Sequence, residues 1–183
     1  MSVLRLPGMP LLFLMYYVTF FGFSFFYSGM PIMASNQLGW GAGELGIFFA
    51  VTSGVMVVTQ GPLLALLSKH IAAWIQVAAG AALLAVSFCI LPIATPFRVF
   101  FGGIVLALGN GIMWPSFLSI LGKAGPKLLQ GATQGYANSM GSLASILGLV
   151  GGGTLYAVLS SGVFYLGAGL IGLIFLLAFR LGK

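Results

Sequence analysis

The sequence predicts an all-α, polytopic membrane protein, on three observations. Of 183 residues, 60% are hydrophobic and only 4% charged, whereas a soluble domain carries roughly a quarter charged residues to keep its surface in water. Mean hydropathy is +1.15. The apolar stretches are long and unalternated, while a transmembrane barrel strand alternates apolar and polar over about ten residues. In hydrocarbon every backbone polar group must be paired within its own segment or in a closed barrel, so unalternated runs decide for helices.

Crossing about 30 Å of hydrocarbon takes roughly 20 mostly apolar residues, and turn signals cut the chain into pieces of that length. The first is expected over Met9–Met33, ended by the stretch holding Asn36, Gly39, Gly41 and Gly43. The second covers Leu45–Leu67, the third Ile71–Ile93 and the fourth Phe97–Leu121. Beyond the loop Gly122–Pro126, the fifth covers Gly131–Leu159 and the sixth Val163–Leu181. The first piece is too long for the apolar core of a cleaved signal peptide, which is about 7 to 15 residues.

With six spans, Arg5, Lys69, Lys123, Lys127, Arg180 and Lys183 fall on one side, leaving Arg98 and the single acid Glu44 on the other. The Lys/Arg-rich side is cytoplasmic by the positive-inside rule. Both termini are thus expected in the cytoplasm, with a bacterial inner membrane as the expected location. The net charge of +6 comes from singly scattered residues and reads as a topology signal, so no nucleic-acid partner is expected. The single cysteine, Cys89, lies in an apolar run and has no internal partner for a disulfide.

Small residues mark candidate seams. In the fifth span Gly131, Gly135, Asn138, Ser142, Ser145, Gly148 and Gly152 recur every three or four positions and so share a helix face. Gly46, Ala50, Gly54, Gly61 and Ala65 form a comparable line in the second span. Lipid gives helices no hydrophobic reason to associate, so small residues matter by letting backbones approach. Such faces serve either packing within the six-helix unit or a seam with another subunit. Gly109, Gly111 and Pro115 in the fourth span, and Gly61 with Pro62 in the second, are candidate hinges, because proline removes a backbone donor and kinks a helix.

Intramembrane ionisable groups mark ion or proton paths, and none is evident here. Glu44 and Arg98 fall at predicted outer ends, and His70 sits beside Lys69 in an inner loop. One His, one acid and one Cys, far apart in sequence, supply neither a nucleophile with its base nor a metal-ligand set. No catalytic residue, cofactor or metal is expected. What remains is uncharged: Tyr16, Ser24, Tyr27, Asn110, Ser116, Gln134 and Asn138 are candidate cavity-lining groups, able to hydrogen-bond either a solute in an apolar cavity or a neighbouring helix.

The run from Gly109 to Tyr156 resembles the C-terminal half of the major facilitator superfamily, in particular its drug-exporter branch. Gly109, Gly111 and Pro115 lie in one helix, a short basic loop follows, and Gln130, Gly131 and Gly135 open the next helix. That helix closes with Gly148, Gly152, Gly153, Leu155 and Tyr156, like the family's glycine-rich stretch ending in Leu-Tyr. Two departures stand out: Ala65 and Leu66 occupy positions where the family often has Asp and Arg, and Leu149 stands where the exporter pattern has proline. The resemblance implies a single membrane domain over residues 1–183, built as two inverted three-helix repeats, 9–93 and 97–181. It also implies that the first and fourth spans line a cavity and that the second and fifth face another half.

Two functions follow as expectations. One is a half-size transporter of an amphipathic or apolar small solute, working in the lipid bilayer with a second six-helix half, self or partner. The other is a non-transporting structural or assembly subunit of a larger membrane complex.

Overall fold

The computed structural model describes residues 6–182, apart from the side chain of Lys127. The expected positions of Arg5 and Lys183 therefore lie outside the described residues.

Helix α1 spans Met9–Leu38, five residues beyond the expected Met33. It closes in a left-handed glycine, Gly39 at φ 68°, whose N–H reaches Ser35 O while Trp40 N–H reaches Ala34 O. A left-handed glycine just past the last helical residue permits this backward closure. The polar Ser35, Asn36 and Gln37 thus belong to an exposed last turn, and Gln37 Nε2 donates to Ser161 Oγ at 2.8 Å. Helix α2, Ala42–Val58, starts with Gly41 N–H donating to Glu44 Oε2 at 2.9 Å. It runs on through a π-helical turn at Thr59–Leu63, at Gly61 and Pro62, to Leu67. Helix α3 is Ala73–Ile90, and α4 is Pro96–Lys123, capped by the Thr95 side chain. The remaining apolar run, Gln130–Ala178, is divided at Ser160–Gly162 into α5, Gln130–Leu159, and α6, Val163–Ala178. Ser160 there has φ 50°.

Cross-contacts fix the directions. Along α1 and α5 the partners advance together, from Tyr16 with Asn138 to Ser24 with Ser145 and Gln37 with Ser161, so these helices run parallel. Gly22 meets Ile171 while Gly29 meets Val163, so α6 runs opposite to α1. Gln76 pairs with Ser116 and Ser87 with Gly102 O, so α3 and α4 are antiparallel. Gly125 lies near Leu6 and Gly182 against Trp74, bringing the two described ends to one face of the bundle.

The core is an aromatic seam: Tyr16, Phe26, Phe48, Phe88 and Phe164 are buried, with ring centroids 6.3–6.4 Å apart from Phe26 to Phe88 and from Phe88 to Phe164. Glycines set the closest crossings. A Cβ on Gly80 would stand 2.6 Å from Gly109 O, and one on Gly109 would stand 2.8 Å from Gly80 O. Gly111 packs as tightly on Thr59, and α4 continues unbroken through Pro115. Gly109 and Gly111 thus sit at close helix crossings, while the irregular backbone lies at Gly61 and Pro62 in α2.

Several hydroxyl side chains within the helices bond to their own backbone. Thr19, Ser24, Thr52, Thr59 and Thr133 each donate to the carbonyl four residues earlier, which is how hydroxyls are accommodated in hydrocarbon. Among the described residues no buried side-chain polar atom lacks a partner.

Candidate functional site

A cavity of about 220 Å³ opens between α1, α4 and α5. Helix α1 supplies Thr19, Phe20, Phe23, Ser24 and Tyr27; α4 supplies Asn110 and Trp114; α5 supplies Ser145. These positions repeat every three to four residues on α1 and four apart on α4, the spacing that turns side chains to one helix face. The aromatic wall is rigid, with Phe20 edge-on to Trp114 at 5.2 Å and Tyr16 stacked on Phe20 at 5.0 Å. Polar groups punctuate it. Ser24 Oγ donates to Phe20 O at 2.8 Å, and Asn110 Nδ2 contacts Met56 Sδ at 3.6 Å. No lining side chain is charged.

A second depression continues from it along α5, lined by Tyr16, Phe20, Asn138, Ser142, Ser145 and Ile146, and in it Tyr16 Oη donates to Asn138 Oδ1 at 2.9 Å. Of the expected lining groups, Ser24, Tyr27 and Asn110 thus meet in the cavity, and Tyr16 and Asn138 meet beside it. Ser116 does not join them: it faces α3, donating to Gln76 Oε1 at 2.7 Å. Gln134 is exposed on α5 and lines neither depression. Thr19, Phe20, Phe23, Trp114 and Ser145 are the lining groups that sequence reasoning missed. The four-residue spacing from Asn110 to Trp114 would have found the tryptophan.

The small residues divide. Gly148 and Gly152 are buried against α1, where a Cβ would fall within 2.6 Å of Ser24 and 2.5 Å of Ser28 Oγ. They belong to a packed stripe with Thr133, Ala137, Gly141 and Ala144, inside the chain. In contrast, Gly46, Gly54, Gly61, Gly131 and Gly135 meet nothing within 4 Å, and Ala50 is exposed with them. Among the described residues no group of three His, Cys, Asp or Glu could hold a metal ion.

The sequence model of the Major Facilitator Superfamily matches residues 12–183. The chain belongs to that superfamily. A search of curated protein sequences returns no match. Among solved structures the chain is similar to the human organic anion transporter MFSD10 (TETRAN), with a TM-score of 0.87 at 20% sequence identity. The similarity covers 97% of this chain and 42% of that one, so the chain spans less than half the length of the transporter whose fold it shares. At that identity the likeness is one of fold. As a superfamily member built of long apolar helices, the chain is a multi-pass integral membrane protein of a transporter family.

Proposed function

We propose that the chain forms one half of a transporter for an amphipathic or apolar small solute and works with a second half, either another copy of itself or a partner six-helix unit. The observation that carries this reading is the cavity between α1, α4 and α5, walled by Phe20, Phe23, Tyr27 and Trp114 and dotted with Ser24, Asn110 and Ser145. Aromatic walls with a few convergent hydrogen-bonding groups suit a solute with an apolar body and a polar handle.

At about 220 Å³ the cavity is smaller than the roughly 300–1,000 Å³ of a typical small-molecule pocket, and a second half would enlarge and close it. The glycine faces of α2 and α5 that meet nothing in this chain supply the surface for the second half, through Gly46, Ala50 and Gly54 on one helix and Gly131 and Gly135 on the other. Solute then sits between the halves and is exposed alternately by their rocking. The name of MFSD10 points to organic anions as one class to test. Since this half lines the cavity with no cation, an anionic solute would be neutralised by the second half. The single acid, Glu44, stands at the start of α2, away from the cavity, so a coupling proton would also be carried by the second half.

Uptake of a fluorescent amphipathic solute into vesicles holding the complete assembly tests this. Asn110→Leu and Trp114→Ala are each expected to lower uptake about tenfold, the order of a lost buried hydrogen bond or aromatic contact. Vesicles that move no solute of neutral, cationic or anionic type would refute the reading.

A further inference from the structure

A separate cleft of about 390 Å³ lies at the other side of α4, between the end of α2, the start of α3 and the last turns of α4. Its polar wall is Ser68, Gln76, Ser119 and Lys123; its apolar wall includes Leu64 and Ile71. Gln76 is 3% exposed and rigidly held, donating to Ile71 O at 2.7 Å and accepting from Ser116 at 2.7 Å.

We propose that this cleft binds the phosphate of an anionic phospholipid headgroup. Three observations converge on it. First, Lys123 at the rim brings a cation, and Ser68 and Ser119 bring hydroxyl donors, into one concavity. Second, α3 begins there: Ala72 and Ala73 line the cleft and Ala72 makes no side-chain cap, so although Ile75 and Gln76 N–H already donate to Ala72 O, the positive end of the helix dipole favours an external anion. Third, the chain has seven Lys and Arg but one acid, and that acid, Glu44, is engaged with Gly41 N–H at the start of α2, whereas the cleft adjoins that helix's end. No acidic side chain of this sequence is thus left to pair with Lys69 and Lys123, which leaves their charge open to an outside anion. Basic clefts between transmembrane helices at a Lys/Arg-rich face are suited to anionic headgroups. A free phosphate shares the polar chemistry; the apolar wall of Leu64 and Ile71 favours the lipid, whose glycerol and upper acyl chain it can cover. The proposal is independent of the transport reading.

The test is lipid retention by the full chain, purified in mild detergent and offered equal amounts of phosphatidylglycerol and phosphatidylcholine, with bound lipid counted by native mass spectrometry. Wild type should retain phosphatidylglycerol at least about fivefold over phosphatidylcholine, roughly the 1 kcal/mol expected per basic residue near a headgroup. Lys123→Gln should remove that preference, Lys123→Arg should keep it, and Arg98→Gln, at the opposite end, should not alter it. No preference in wild type, or a preference untouched by Lys123→Gln, overturns the site. Displacement of the bound lipid by an equal concentration of inorganic phosphate overturns the lipid as its ligand.

Discussion

Helices α1 and α2 have the same mean hydropathy, 1.7 over their most apolar windows, yet 67% of that window is buried in α1 and 17% in α2 (including its continuation to Leu67). In a soluble protein such a difference in burial would leave a signature in composition. Here it does not, because hydrocarbon, a neighbouring helix and a partner subunit all present an apolar surface to the chain. What separates the two helices is the way their neighbours meet them. Helix α1 is gripped by α5 through Gly148 and Gly152 and meets Ile171 and Val163 of α6 at its own Gly22 and Gly29, while α2 leans on α4 by Phe48, Thr52 and Thr59 and leaves Ile47, Val51, Val57 and Val58 exposed. A stripe of small residues therefore has two meanings, a filled crossing or an open one.

The largest expected effect separates those meanings. Gly80→Leu drives a side chain into the Gly109 carbonyl; overpacking of this kind costs about 1–3 kcal/mol or more, seen as loss of the folded species in thermal denaturation in detergent. Gly54→Leu, on the open face of α2, should change the stability of this chain by less than about 0.5 kcal/mol and instead weaken its association with a second half, read by co-purification. If Gly54→Leu unfolds the chain as readily as Gly80→Leu, the contrast between filled and open stripes fails. Next in size, Ser116→Ala removes the donor to Gln76 Oε1 and should cost about 1 kcal/mol, measured in the same denaturation. Smallest, Glu44→Gln weakens the hydrogen bond from Gly41 at an exposed helix start and should leave the midpoint of the same denaturation almost unchanged.

Much of the fold is legible in the sequence, because spans announce themselves by length and apolarity. The starts of α4 and α5 fall within one residue of expectation. Helix α1 runs past its expected end because Ser35, Asn36 and Gln37 can remain helical in water until Gly39 permits a left-handed turn. The site is less legible. Helix α5 carries two adjacent small-residue stripes, and nothing in the spacing of Gly131, Gly135 and Ser142 ranks it above that of Ala137, Gly141 and Gly148. Only the position of α1 decides. Ser116 was expected in the cavity for its polarity, but it lies on the far side of α4 from Asn110 and Trp114, toward Gln76, whose buried amide needs a partner.

The claim that this chain is half of a larger transporting unit is tested most directly by native mass spectrometry of the protein released gently from its own membrane. The account predicts a mass that includes a second set of six helices in one-to-one proportion, whether in a second copy, a partner chain or a longer polypeptide. A stable particle holding this chain's helices alone, or an assembly with unrelated subunits covering α2 and α5, would contradict it.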